Sequence, residues 1–437
     1  MAALSGRAAS LLFSLVGILL LRVSASGVGI LIVLLLAQLD RPGARVPAWV
    51  VGLTSALFYA SELLGAPLFG MLSDRNGRRR YLLVSPIFGA VGAVVVLAAP
   101  LVPVVLVSRL FQGLSTAASA PASLGYMADA TSGDQSLRGR VMALFEVTTV
   151  AGIVGGVAIG GVLWDHLGLR AFLPVLALYA LSWLAFTRVR DVLQAPRAEH
   201  PHAGLPARGP HATPHGALLE ALRLPGVLAF IPAWLAVNAI LGGWAAHIGF
   251  LLKKADDPAQ YLVGGFSGTQ VGLFAAVVGA LFVVGIVLWG QALGRLGALG
   301  AMRLGLVGLL ALCPATYWLN HASPGQSARI TLALAAAGLA LLVASGFTPA
   351  ALAHLANISE VSTGDRGAVM GLYSVLLGLG QLLGAMLAAP LVQHFEADGL
   401  ILLTLLLTAV SALGVVILGA RPLPVPAHPA LRVEPEA

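Results

Sequence analysis

PASLGYMADATSGDQSLRGRVMALF, from Pro121 to Phe145, aligns without a gap to PAALAHLANISEVSTGDRGAVMGLY, from Pro349 to Tyr373. Pro121 pairs with Pro349, Leu124 with Leu352, Arg138 with Arg366, Gly139 with Gly367, Val141 with Val369 and Met142 with Met370. Carried on, the register sets Gly152 opposite Gly380 and Gly156 opposite Gly384. A second echo sets Gly70, Arg75 and Gly77 opposite Gly290, Arg295 and Gly297. Such self-similarity points to one structural unit used twice.

The material between these repeats fixes the class. Of 437 residues, 58% are hydrophobic and 10% charged, and the mean hydropathy is +0.93, against roughly 25% charged in soluble domains. A soluble globular protein is excluded. At about 20 apolar residues per span, the chain holds roughly a dozen transmembrane helices. A β-barrel would alternate apolar and polar residues in short segments, whereas these apolar runs are long and unbroken. Spans are expected near residues 9–38, 47–72, 81–99, 102–127, 141–164, 168–188, 224–252, 267–291, 299–318, 328–352, 368–392 and 398–420. The fold class is therefore an all-α membrane protein, with twelve transmembrane helices in two pseudo-symmetric six-helix bundles.

The expected domains are a first bundle at 1–189, a flexible cytoplasmic linker at 190–223, a second bundle at 224–422 and a disordered cytoplasmic tail at 423–437. The linker is rich in Pro, Ala, His and Arg and cannot bury enough apolar surface to fold alone. Its His200, His202, His211 and His215 read as solvated linker residues rather than metal ligands. The single cysteine, Cys313, excludes an intramolecular disulfide and a thiolate metal cluster. No cofactor and no metal are expected. Arg7 followed by an apolar run and Ser24-Ala25-Ser26 imitates a signal peptide. Arg22 before that cut and the resumed run from Gly27 to Ala37 favour a full first span.

The net charge of +7 suggests an anionic partner until its placement is considered. Arg75, Arg78, Arg79, Arg80, Arg138, Arg140, Arg188, Arg190, Arg295, Arg303 and Arg366 fall on one side of the spans, whereas Arg41, Arg45, Arg170, Lys253, Lys254 and Arg329 fall on the other. That asymmetry orients a chain with its basic loops and both termini in the cytoplasm. The partners expected are the lipid bilayer, a small-molecule substrate and protons, without nucleic acid or an obligate protein partner.

GMLSDRNGRRR, from Gly70 to Arg80, resembles the signature loop of the major facilitator superfamily, and SRLFQG, from Ser108 to Gly113, resembles its fourth-helix motif. With the spans, linker and repeat, the resemblance covers essentially the whole chain. It implies the major facilitator fold and alternating access to one central site. Gly70 permits close helix approach and Gly77 a tight turn, while Asp74 is an anion suited to capping a helix N-terminus across the two halves. The resemblance implies that its partner is the start of the eleventh helix, near Gly364 to Gly367, locking an inside-closed state. The gating set is then Gly70, Asp74, Arg75, Gly77, Arg78, Asp129, Arg138 and Arg366. Solvated loop charges and topological anchors are the alternative for these residues. GIVGGVAIGG, from Gly152 to Gly161, places Gly152, Gly156 and Gly160 on one face for close packing. It also resembles the antiporter glycine motif, with Val157 where that motif expects proline.

Charges inside spans are expensive and usually functional. Arg22 lies mid-way along the first span, Arg109 in the outer half of the fourth and Glu146 in the inner part of the fifth. Glu62 stands about 12 Å along the second helix from the signature loop, at a depth shared with Arg22. Two readings stay open: a fixed Arg22–Glu62 ion pair, or a proton taken up and released by Glu62 or Glu146. Burial favours the neutral acid and a nearby arginine the carboxylate, so a moving arginine can load and release a proton. The resemblance makes Arg109 a further candidate for proton coupling. Asn238, Trp244, His247, Gln270, His354 and Gln381 are cavity candidates or interhelical anchors.

No nucleotide-phosphate loop, HExxH helix or nucleophile elbow is found, so an enzyme is not expected. The expected function is an antiporter of the cell membrane, exporting lipophilic or amphipathic compounds against protons. A transporter of a small anionic metabolite is the alternative, and a non-transporting membrane sensor a third reading.

Overall fold

The computed structural model describes residues 2–132, 134–190, 226–254, 257, 259–323, 325–361 and 366–420, with side chains described except at 2–5, 135 and 356–372. The expected linker, apart from Arg190, and the expected tail lie outside the described residues.

Among the described residues the chain is helical, with an isolated bridge between Arg41 and Ala44. The first half comprises α1 (Ala2–Leu39), α2 (Ala48–Asn76), α3 (Arg78–Ala98), α4 (Val102–Ala130) and α5 (Gln135–Leu167). After a 3-10 turn at Gly168–Ala171 it ends in α6 (Phe172–Thr187). The second half begins with α7 (Val227–Lys253). The helical stretch Gly268–Asn320 is broken at Gly297 into α8 (268–296) and α9 (298–320). Next, α10 (Ser327–Ala344) and α11 (Phe347–Val361) follow one another across a turn at 345–346. The last two are α12 (Arg366–Phe395) and α13 (Ala397–Ala420).

Every expected span falls on one of these helices, the span near 328–352 being divided between α10 and α11. Nine helical stretches among the described residues are long and apolar enough to cross a membrane, and three of them, Ser136–Thr187, Gly268–Asn320 and Ser327–Leu355, run through more than one helix. The repeat is visible at the turns. Gly77, between α2 and α3, has φ 93°, and its counterpart Gly297, between α8 and α9, has φ 68°. Both are left-handed conformations that a Cβ would strain.

The repeat is visible again in packing. A Cβ on Gly152 of α5 would meet Cβ of Arg22 on α1, and one on Gly156 would meet the Val23 carbonyl and Ser26 hydroxyl. In the second half, a Cβ on Gly380 of α12 would meet Cβ of Asn238 on α7, and one on Gly384 would meet the Ala239 backbone. Thus α1 crosses α5 as α7 crosses α12, with backbones in direct contact. Arg22 and Asn238 stand at equivalent points of the two crossings.

Among the described residues, contacts between the halves run from one end to mid-span, where Gly378 approaches Leu63 and Gly279 approaches Val154. Hydrogen bonds between them run from Ala48 N–H to Gln393 Oε1, from Gly268 and Thr269 N–H to Asp165, and between His247 and the Ala48 carbonyl. All lie opposite the end that carries the Gly70–Arg80 loop, called here the basic end. One hydrophobic cluster runs from Leu31 and Leu35 of α1 through this far junction to Phe250, Val271 and Val392. A second, around Trp234, Met302 and Phe347, belongs to the second half alone. Burial fades along α2 accordingly. Val50, Val51 and Thr54 are buried near the far end, whereas Leu64 is 78% exposed toward the basic end.

Candidate functional site

The close crossing at Gly152 sets the backbone of Arg22 against α5, six residues along from Glu146. Arg22 interacts electrostatically with Glu62 of α2 and Glu146 of α5. Glu62 in turn interacts with Arg109 of α4, and Tyr59 with both Glu62 and Arg109. None of the described ion pairs within 4.0 Å includes Arg22, Glu62 or Glu146. Their charges therefore act on one another at longer range, without a closed Arg22–Glu62 bridge. Arg22 and Glu62 are half-buried and Glu146 is exposed.

Arg109 is fixed differently. Its Nε donates to the Thr54 carbonyl at 3.1 Å, its Nη1 to Gln112 Oε1 at 2.5 Å, and its guanidinium lies 4.7 Å from the centre of the Phe58 ring. Three contacts hold it, two of them across the α2–α4 interface, where Ser61 also donates to the Leu110 carbonyl at 3.0 Å. A Cβ on Gly113 would strike Ser61 and the Phe58 carbonyl, so the glycine of SRLFQG lets α2 approach α4 there.

At the basic end, Arg78 pairs with Asp74, reaches Asp129 at 3.3 Å and donates to Ser73 Oγ at 2.9 Å. Its guanidinium rests over Gly125, where a Cβ would collide with it. Other arginines hold helix C-termini. Arg7 donates to the Ala130 carbonyl at 2.5 Å, Arg138 to Ala128 at 3.2 Å and Arg79 to Thr187 at 2.9 Å. Cations complete orphan carbonyls and favour the negative end of the helix dipole. Every one of these contacts lies within the first half. Gly70 approaches Pro121 of α4, and Arg75 is exposed. Gly364 and the side chain of Arg366 lie outside what is described.

In the second half Asn238 is 1% exposed and donates to the Trp234 carbonyl at 2.9 Å. Gln381 is half-buried, with its backbone against Gly242. Trp244 donates to Thr404 Oγ1 at 2.8 Å, and Gln270 belongs to the capping box of α8. The ring nitrogens of His247 lie 3.2 Å and 3.3 Å from the Gly243 and Ala48 carbonyls, at the far junction. His354 stacks on Phe230, and its Nε2 has no hydrogen-bond partner among the described residues. Trp234 stacks on Tyr373 at 4.7 Å and on Phe347 at 6.4 Å, forming an aromatic core.

Tyr59, Gln112 and Gly125 join the site without having been singled out as candidates. Tyr59 was within reach of pattern reasoning, since it precedes Glu62 by three residues and so shares its helix face. Gly125 carries no such signal, because only the fold brings Arg78 over it.

The family model of the Major Facilitator Superfamily matches residues 14–342 and 258–436. Tetracycline resistance protein, class G, of Vibrio anguillarum is 28% identical over 378 residues, spanning 85% of this chain and 88% of that protein. Multidrug resistance protein Stp of Mycobacterium tuberculosis is 24% identical over 388 residues, spanning 77% of this chain and 70% of its own length. Among solved structures, the nucleoside transporter NupG superposes with a TM-score of 0.71 at 12% identity, covering 95% of this chain and 98% of that one. A bacterial homolog of the human lysosomal transporter Spinster, inward-facing and occupied, gives 0.70 at 14% identity, covering 94% and 96%.

Proposed function

The chain belongs to the Major Facilitator Superfamily, and from that membership we propose that it exports lipophilic or amphipathic small molecules in exchange for protons. One observation carries this reading. Among the spans, Arg22, Glu62, Arg109 and Glu146 all belong to the first half, while the second half has no Asp, Glu, Lys or Arg within residues 227–252, 268–294, 304–320, 330–355, 373–395 or 399–420. Proton exchange is thus assigned to the first half, and the apolar, aromatic second half receives the lipophilic part of a substrate. The names of these two relatives, matched over most of this chain, tetracycline resistance and multidrug resistance, support export.

In this reading the basic end faces the cytoplasm, as the arginine asymmetry favours. Halves that, among the described residues, hydrogen-bond to one another only at the far end then correspond to an inward-facing state. Asp74, half-exposed beside Arg78 here, is released from α12 in this state and caps it when the inner end closes. The residue ranges 1–189 and 224–422 are the two rocking bodies. The two guanidinium groups, Arg22 and Arg109, favour a second reading, transport of a small anionic metabolite.

Thermal unfolding of the purified protein and of Arg22→Ala, across cationic drugs, anionic metabolites and amphipathic lipids, distinguishes the readings. A ligand at about 100 times its Kd stabilises the folded state by roughly 2.7 kcal/mol. Stabilisation by cationic or amphipathic compounds that survives in Arg22→Ala is the expected result. Stabilisation by anions alone, lost in the variant, contradicts the proposal in favour of the metabolite reading.

A further inference from the structure

We infer that Asp165, at the end of α5, is a latch holding the outer end of the protein shut. Its two carboxylate oxygens accept the N–H groups of Gly268 and Thr269, each at 2.7 Å, at the start of α8 in the other half. A helix start leaves four N–H groups without intrahelical partners. Here Ser267 Oγ takes the N–H of Gln270 at 3.1 Å, so the helix's own cap leaves Gly268 and Thr269 to be satisfied from outside. The crossing is shaped for this. A Cβ on Gly268 would stand 2.8 Å from Asp165 Oδ1, and one on Gly161 would strike the Gly268 carbonyl.

The repeat makes the same contact a second time with different chemistry. In the register that pairs Gly152 with Gly380, Asp165 stands opposite Gln393, and in the register that pairs Gly70 with Gly290, Ala48 stands opposite Gly268. Gln393 Oε1 does accept the Ala48 N–H, at 2.9 Å. So the end of each fifth helix of a half caps the start of the second helix of the other half. One cap is a carboxylate and the other a neutral amide. Charge-assisted hydrogen bonds are roughly twice as strong as neutral ones, and a carboxylate also favours the positive end of the α8 dipole. The latch is therefore unequal, with Asp165 the stronger side.

Both contacts exist only while the far ends touch. A contact made in one of two states shifts their populations by its own free energy. Asp165 thus favours the outer-closed state, while Asp74 is assigned to the opposite one. This inference rests on alternating access alone, and not on the substrate or the coupling ion.

The test uses the full chain in nanodiscs with Cys313→Ser, spin-labelled at Arg41→Cys and Ser327→Cys, exposed positions at the far end of opposite halves. Electron–electron distance distributions then report outer opening. Asp165→Ala is expected to raise the open population about three- to tenfold, from the loss of a charged helix cap. The near-isosteric Asp165→Asn is expected to raise it less, and it keeps the test decisive if the alanine variant does not fold. Asp74→Asn is expected to lower it, and an unchanged or raised population there contradicts the gate at Asp74. A distribution unaltered in the folded Asp165 variants overturns the latch.

Discussion

Proteoliposomes carrying Glu62→Gln are expected to lose the substrate gradient that a pH difference sustains in the parent protein. Exchange of one proton for one substrate across about one pH unit supplies roughly 1.36 kcal/mol, enough for about a tenfold gradient. Glutamine cannot take up that proton, so the gradient is expected to fall to about onefold. Counterflow of labelled against unlabelled substrate needs only the rocking of the halves and is expected to persist. The reason lies in the arrangement of charge. Among the described residues Glu62 has no ion pair within 4.0 Å, but it feels both Arg22 and Arg109, and Arg22 feels Glu62 and Glu146 together. A guanidinium that interacts with two carboxylates on different helices favours one or the other as the helices shift. Glu146→Gln is the companion measurement. A tenfold gradient retained by both variants removes proton coupling from this cluster.

Gly384→Val is expected to be the most destabilising of the glycine substitutions at the helix crossings. A Cβ there would collide with the carbonyl of Ala239 and stand 2.6 Å from its Cα. These are backbone atoms of α7, so no side-chain rotation relieves the clash. Overpacking a tight interface costs about 1–3 kcal/mol, and more when whole helices must separate. Tm measured in detergent is expected to drop by several degrees. Gly294→Ala is the control, because a Cβ at Gly294 meets nothing within 4 Å and alanine is favoured over glycine in a helix by up to about 1 kcal/mol. Equal Tm values for the two variants contradict the close α7–α12 crossing.

How much of this was legible from residues alone varies with the range of the interaction. The spans were legible because apolar runs record burial in a bilayer locally. The turn at Gly297 was legible through its echo of Gly77, and the face made by Gly152, Gly156 and Gly160 through its four-residue spacing. The division of the tenth span was not. Ser345 and Gly346 interrupt an apolar run without a proline, and the reason appears only in three dimensions, where a Cβ on Gly346 would meet the Trp289 ring.

The site divides in the same way. A shared depth for Arg22 and Glu62 follows from helical rise, but their separation depends on how α1 and α2 are rotated, which the crossing of α1 with α5 determines. Asp129 was placed near the signature loop by the repeat, and Arg78 does reach it. Asp165 offered no signal, because its partners are amides of the other half. The capping box at Ser267 and Gln270 marked only the start of α8.

The most direct measurement is proton movement itself, in proteoliposomes of the unmodified protein with a pH dye trapped inside and a lipophilic cation such as ethidium added outside. Exchange through the first-half cluster predicts saturable ethidium transport that releases lumenal protons in step and is driven faster by an acidic lumen. Saturable ethidium transport with the lumenal pH unchanged would contradict it.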